Sequence, residues 1–181
     1  MAAPELIKTE KLPFPLTAPK LHEIMVGFCI MEFEARGECL PTFVIQVPGN
    51  LIWLRARWES EREKFATSEA IHYMMQKFAA LSYSFAVEAY VSLYSKEELQ
   101  ARDFVMPSQR KHDEVLMITT QRRDVEEPLF SRFLVNQRPN TKTNYLGPRV
   151  DETQNFAGIL MNLFKSREER VEATKATGAQ I

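Results

Sequence analysis

Glu88, His112 and Asp113 are the residues of this chain best suited to general acid–base work. Glu88 falls on the less apolar face of an alternating run from Tyr83 to Leu93. If that face is covered, its carboxyl must be paired or driven toward the neutral form. Asp113 and Glu114 open the next strand with His112 beside them, so one end of a sheet would gather Glu88, His112 and Asp113 as acid, base or metal ligand, as in a hydrolase or nuclease-like enzyme. The simpler alternative is a Glu88 that faces water or pairs with an arginine, because structural ion pairs perturb carboxylates as active sites do. No other catalytic pattern is present. A Gly-x-Ser-x-Gly elbow and the glycine-rich phosphate loops are absent, and the six glycines are not clustered. The possible metal ligands His22, His72, His112, Cys29 and Cys39 share none of the short spacings of zinc sites, so no metal and no cofactor is expected. His22 and His72 fall at the edges of helix faces, where histidines are commonly solvated. Cys29 reads as a small core residue, and Cys39, next to Glu38, has nothing to promote its thiolate.

Two further groups could bind rather than react. Between Ser108 and Arg149 there are eight basic and five acidic residues, with Phe130, Phe133 and Tyr145 among them. Arg110, Lys111, Arg122 and Arg123 are the candidate contacts to nucleic acid, with aromatic rings for stacking. The excess is small, and basic residues also guard sheet edges against self-pairing. The second group is apolar. Phe156, Ile159, Leu160, Leu163 and Phe164 form a stripe at helical spacing, and Tyr90 lies on the second face of the 83–93 strand. These six would suit the interface of a symmetric homodimer with a shared terminal helix. Docking of that helix on its own sheet is the alternative.

The elements that must position these residues can be read in chain order. Pro4, Pro13 and Pro15, with Pro19 just beyond, make 1–17 an extended arm that Leu12 and Phe14 could anchor. Thr17 caps a helix with Pro19 in its first turn and Leu21, Ile24, Met25 and Phe28 on its buried face; Gly37 ends it. Thr42 to Val47 and Leu51 to Ala56, joined through Pro48-Gly49-Asn50, form a hairpin. Ser60 and Glu63 open a second helix that buries Ile71, Met74, Met75 and Phe78. The 83–93 strand follows, then a polar loop. Glu114 to Thr120 and Leu129 to Gln137 make a second hairpin, with a short strand possible at Asn144 to Leu146. A last helix is expected from Asp151 or Thr153, its charged end fraying over 166–181. Short hairpins require antiparallel pairing. The expected fold is α+β: an antiparallel sheet of about five strands, two hairpins plus one strand, with two to three helices packed on one face.

Composition fits a single globular domain over 1–181. The chain has 181 residues, 45% of them hydrophobic and 26% charged, with a net charge of −1 and a pI near 6.3. A chain of this size buries roughly 70% of its extended surface, enough for a core without staples. Two cysteines ten positions apart make no disulfide framework, and no run reaches the length of a membrane span. A cytoplasmic setting without membrane partners is expected, and near-neutral charge gives no general pull toward nucleic acid.

Pro41-Thr42-Phe43, Glu63-Lys64-Phe65, Phe85-Ala86-Val87-Glu88-Ala89-Tyr90 and Pro107-Ser108 ahead of Arg110 carry a resemblance. The order over about 20–135 resembles a loose set of small bacterial and phage-borne α+β proteins of unknown function. In these, a helix, a hairpin and a second helix precede a strand ending in Glu-Ala-aromatic. The resemblance implies no activity and draws attention to Glu88 and Tyr90. The functional expectation is a non-enzymatic binding or assembly protein acting as a homodimer, with the hydrolase and nucleic-acid readings as alternatives.

Overall fold

A computed structural model describes residues 4–91, 113–125, 127–138, 143–152 and 163–176. Its elements are β1 (Glu5–Lys11), α1 (Ala18–Arg36), β2 (Thr42–Val47), β3 (Asn50–Arg55), α2 (Glu61–Lys77), β4 (Ser82–Val91), β5 (Asp113–Arg122), β6 (Leu129–Gln137), β7 (Asn144–Glu152) and α3 (Arg167–Ala176). All seven strands join one antiparallel sheet in the order β1-β3-β2-β4-β5-β6-β7. The α+β class is as expected, and the two hairpins and the 83–91 strand form the sheet's five central strands. The two outer strands are additional.

The helix ends follow local chemistry. Thr17 Oγ1 accepts the Lys20 N–H at the start of α1, and Gly37, at φ 74°, donates its N–H to Phe33 O at 2.7 Å. Ser60 Oγ accepts the Glu63 N–H at the start of α2. Gly49, at φ 77°, supplies the left-handed residue that the β2–β3 turn requires.

Helices cover both faces of the sheet, not one. Leu21, Met25, Cys29 and Phe33 of α1 pack with Val44, Trp53, Ala86, Leu116, Ile118 and Phe133. Ile71 and Met75 of α2 pack on the opposite side with Phe43, Ile45, Leu54, Tyr83, Phe85 and Leu163. Successive strand residues point to opposite faces, so Val44 serves the α1 core while Phe43 and Ile45 serve the α2 core. The Phe43 and Phe85 rings stack with centroids 4.2 Å apart. Each fully buried Leu or Ile contributes about 1.5–3 kcal/mol by leaving water.

Three expectations about the termini are corrected. The N-terminal arm is an edge strand over Glu5–Lys11, because the prolines at 13 and 15 lie beyond it and leave its N–H groups free to pair with β3. Leu12 packs into the α1 core, but Phe14 is 78% exposed. β1 also covers Trp53, whose indole N–H donates to Glu10 Oε2 at 3.2 Å while Lys8 Nζ sits 4.6 Å from its ring centroid. The short strand at 144–146 continues through Gly147-Pro148 to Glu152, so Asp151 belongs to a strand and does not start a helix. Finally, 167–176 is an anchored helix. Ser166 and Glu169 cap it reciprocally, and the buried Arg170 pairs with Glu69 and donates to Lys165 O at 2.8 Å. Among the described residues no helix is long and apolar enough to cross a membrane.

Candidate functional site

Glu88 is half-buried on the α1 side of β4, and its Oε1 accepts the backbone N–H of Cys39. Burial pushes its carboxyl above the usual range; the Cys39 N–H works against this, and Glu114 and Glu38 add to it. The β4–β5 register sets Glu88 opposite Leu116, Tyr90 opposite Glu114 and Val91 opposite Asp113. Alternation therefore puts Glu114 on the face of Glu88 and the exposed Asp113 on the other. This corrects the expected cluster: a one-residue offset separates Asp113 from Glu88, and the acidic neighbours of Glu88 are Glu114 and Glu38. His112 lies outside the described residues. No group of three or more His, Cys, Asp or Glu is placed to hold a metal among the described residues.

The two cysteines, ten apart in sequence, meet in the α1 core. Both are buried there, and the Cys39 thiol donates to Leu40 O. The neighbouring Cys39 and burial push the Cys29 thiol far up, away from nucleophilic use.

His22 is buried at 3% exposure, not solvated at a helix edge, because α1 leans its N-terminal turns over β5 and β6. Its Nδ1 lies 2.8 Å from Thr120 Oγ1 and its Nε2 lies 2.7 Å from Ser131 Oγ. Ser131 donates to Asp151 Oδ1, which also accepts Arg149 Nε at 2.6 Å. Arg149 clasps Glu23 with both terminal nitrogens, at 2.9 and 2.7 Å. On the far side Thr120 Oγ1 meets Ser84 Oγ at 2.7 Å, and Ser84 reaches Thr119 O at 3.1 Å. Burial, and next Arg149, hold the His22 ring below the ordinary imidazole range against the pull of Glu23 and Asp151. The Ser131 hydroxyl holds the Asp151 carboxyl below its usual range, with Arg149 helping. Ser, His and Asp are thus all present, but not as a nucleophile triad. The serine lies between the histidine and the aspartate, and it is fully buried. These contacts span up to 109 residues, and no periodicity in the sequence signals them.

The opposite face carries a groove of about 510 Å³ between the β5 end, the end of α2 and the segment before α3. Its lining includes Met75, Gln76, Arg123, Asp124, Leu163, Phe164 and Lys165. The Tyr83 hydroxyl ties two lining residues together, donating to Gln121 Oε1 and accepting the Leu163 N–H, both at 3.2 Å. Arg123 is anchored by its backbone N–H to Leu81 O at 3.0 Å and holds its guanidinium 5.7 Å from the Phe164 ring centroid. The neighbouring Asp124 is taken by Arg122, through contacts of 2.8 and 2.6 Å that hold its carboxyl below the usual range. Among the described residues neither Arg123 nor Lys165 pairs with a carboxylate.

The predicted binding residues divide accordingly. Arg123 lines the groove, Arg122 is held by Asp124, and Arg110 and Lys111 lie outside the described residues. Of the expected interface, Leu163 is fully buried in the chain's own α2 core and Phe164 packs on Tyr83, with ring centroids 5.6 Å apart. This corrects their assignment to a partner: the end of the apolar stripe docks on its own sheet. Phe156, Ile159, Leu160 and the Tyr90 side chain lie outside the described residues. Sequence reasoning missed Gln76, Gln121 and Lys165. The Ser166-x-x-Glu169 capping box was the available signal that a helix starts beside Lys165.

Comparison of the chain with family models, with curated proteins and with solved structures finds no match.

Proposed function

We propose that the chain is a non-enzymatic binding protein whose groove takes a small amphipathic anion. The observation that carries this reading is the pair of cations, Arg123 and Lys165, which form no ion pair among the described residues and sit beside the apolar wall of Met75, Leu163 and Phe164, while Asp124 in the same lining is held by Arg122. The volume falls in the range of small-molecule sites, which combine apolar lining with a few converging polar groups. Arg123 offers a planar fork for a carboxylate, sulfonate or phosphate, and Lys165 offers a point charge. Phe164 gives a flat apolar group somewhere to rest.

Anilinonaphthalene sulfonate is a suitable probe, since it joins a fused aromatic body to one anionic group. Fluorescence titration should give saturable binding with one site per chain. Arg123→Met and Lys165→Met should each weaken it about tenfold, the loss of one charge-assisted contact. Binding that neither change weakens, or that never saturates, rejects the groove. A short single-stranded RNA that binds more tightly than the probe, with affinity collapsing in salt, would favour the nucleic-acid alternative.

Self-association is a second reading, with its own observation. Leu134, Tyr145 and Val150 are each 41–43% exposed and neighbour one another on the β6–β7 face turned away from α1. Light scattering on the purified chain should give twice the monomer mass and Val150→Glu should restore the monomer; a monomer from the outset removes this reading.

A further inference from the structure

We propose that His22 is a proton-binding site built to hold both ring states inside the fold, the second proton entering at Nδ1 and turning the hydroxyls of Thr120 and Ser84 together. A count of hydrogens fixes both ring states. Ser131 has one hydroxyl hydrogen and gives it to Asp151 Oδ1. It must therefore accept from His22, so the ring carries its hydrogen on Nε2 in either state. The other nitrogen, Nδ1, faces a group that can act both ways. When the ring is neutral, Thr120 turns its hydrogen to Nδ1. When the ring is charged, Nδ1–H donates to Thr120, Thr120 donates to Ser84 and Ser84 donates to Thr119 O, a carbonyl that needs nothing in return. Every buried donor has an acceptor in both arrangements, so a proton at His22 reverses a chain of bonds and breaks none.

The charges facing the ring come from two elements. Arg149 and Asp151 lie on β7, and Glu23 lies on α1 beside His22 itself. Among the described residues the strands beneath, β4, β5 and β6, present the hydroxyls of Ser84, Thr120 and Ser131, and Ser131 Oγ also accepts Arg149 Nε at 3.2 Å. Arg149 opposes a second positive charge while the two carboxylates favour it, and burial adds to the opposition. An ordinary buried histidine between two fixed donors would have no acceptor for a second hydrogen, and protonation would expel it.

The test is nitrogen NMR of isotope-labelled histidine rings in the folded chain across a pH series, with His22 assigned through His72→Gln and His112→Gln. The neutral ring should carry its hydrogen on Nε2. Nδ1 should then gain one at a midpoint below 6.5 while the amide spectrum stays folded. Thr120→Val should lower that midpoint by about one unit or more, because the charged ring loses its new acceptor. Ser84→Ala should lower it less, by breaking the next link. A neutral ring protonated on Nδ1, a ring that gains no proton before the chain unfolds, or a midpoint unmoved by Ser84→Ala overturns the proposal. The wild-type ring and Ser84→Ala decide it even where Thr120→Val does not fold.

Discussion

The two faces of the sheet handle polar chemistry in opposite ways. On the α1 face, Arg149 meets Glu23 and Asp151, and His22 has a partner on each ring nitrogen. On the α2 face, Arg123 and Lys165 stand at a groove whose one lining carboxylate, Asp124, is held by Arg122, and among the described residues neither cation forms an ion pair. A closed network restrains geometry and leaves little for a ligand to satisfy, whereas uncompensated cations beside apolar surface leave something for an anion to do. The proposed groove therefore rests on unmet valence and not on abundance of chemistry-bearing residues.

That contrast can be broken or sharpened by substitution. The largest effect belongs to Ser131→Ala, which strands the His22 Nε2–H in the core. It should cost about 1–3 kcal/mol, lowering the melting midpoint by about 2–4 °C for each kcal/mol. An unchanged midpoint would mean the network is not closed. A smaller effect of opposite sign is expected for Glu88→Gln. The folded carboxyl binds its proton more tightly than the unfolded one, so Glu88 lowers stability as pH rises from 4.5 through its folded midpoint. The amide keeps an oxygen for the Cys39 N–H and carries no charge. The midpoint at neutral pH should rise by about 1–3 °C, and the gain should vanish in acid where Glu88 is already neutral. His22 has the reverse dependence. Its depressed folded midpoint means the unfolded chain binds the proton better, so stability falls as pH drops below 6.5 and levels off once the folded ring is charged. The smallest stability effect belongs to Arg123→Met and Lys165→Met, each within about 0.5 kcal/mol of wild type by thermal melting. A large loss would show that these cations hold the fold together.

Much of the architecture was legible because it rests on local rules. The Thr17 cap and Gly37 stop, the Ser60 and Glu63 pair, the Pro-Gly-Asn turn and the alternation of 83–91 each name an element from neighbouring residues alone. β1 was missed because it is an exposed, charged edge strand with a register shift between Leu6 and Lys8, so its apolar residues do not alternate. The two-sided packing had a signal that went unused. Phe43-Val44-Ile45 is apolar without alternation, as a strand buried on both faces must be. The site was harder to read. The alternation around Glu88 left open whether its face is covered or open to water, and the register that separates it from Asp113 depends on how β4 and β5 align. Arg123 was named for binding, while Gln76 and Lys165 join it only through the packing of separate elements.

The covering of Trp53 by β1 has an optical consequence. The chain has two tryptophans, and Trp53 keeps only 3% of its surface in water. Phe28 of α1 covers one side of its ring, with centroids 5.0 Å apart, and the rest of its shield is a terminal strand whose outer edge pairs with nothing among the described residues. If β1 peels away, indole emission should shift to the red while circular dichroism from the inner strands barely changes. The molecule thus carries a built-in fluorescent gauge of whether its first strand is docked, readable without any label.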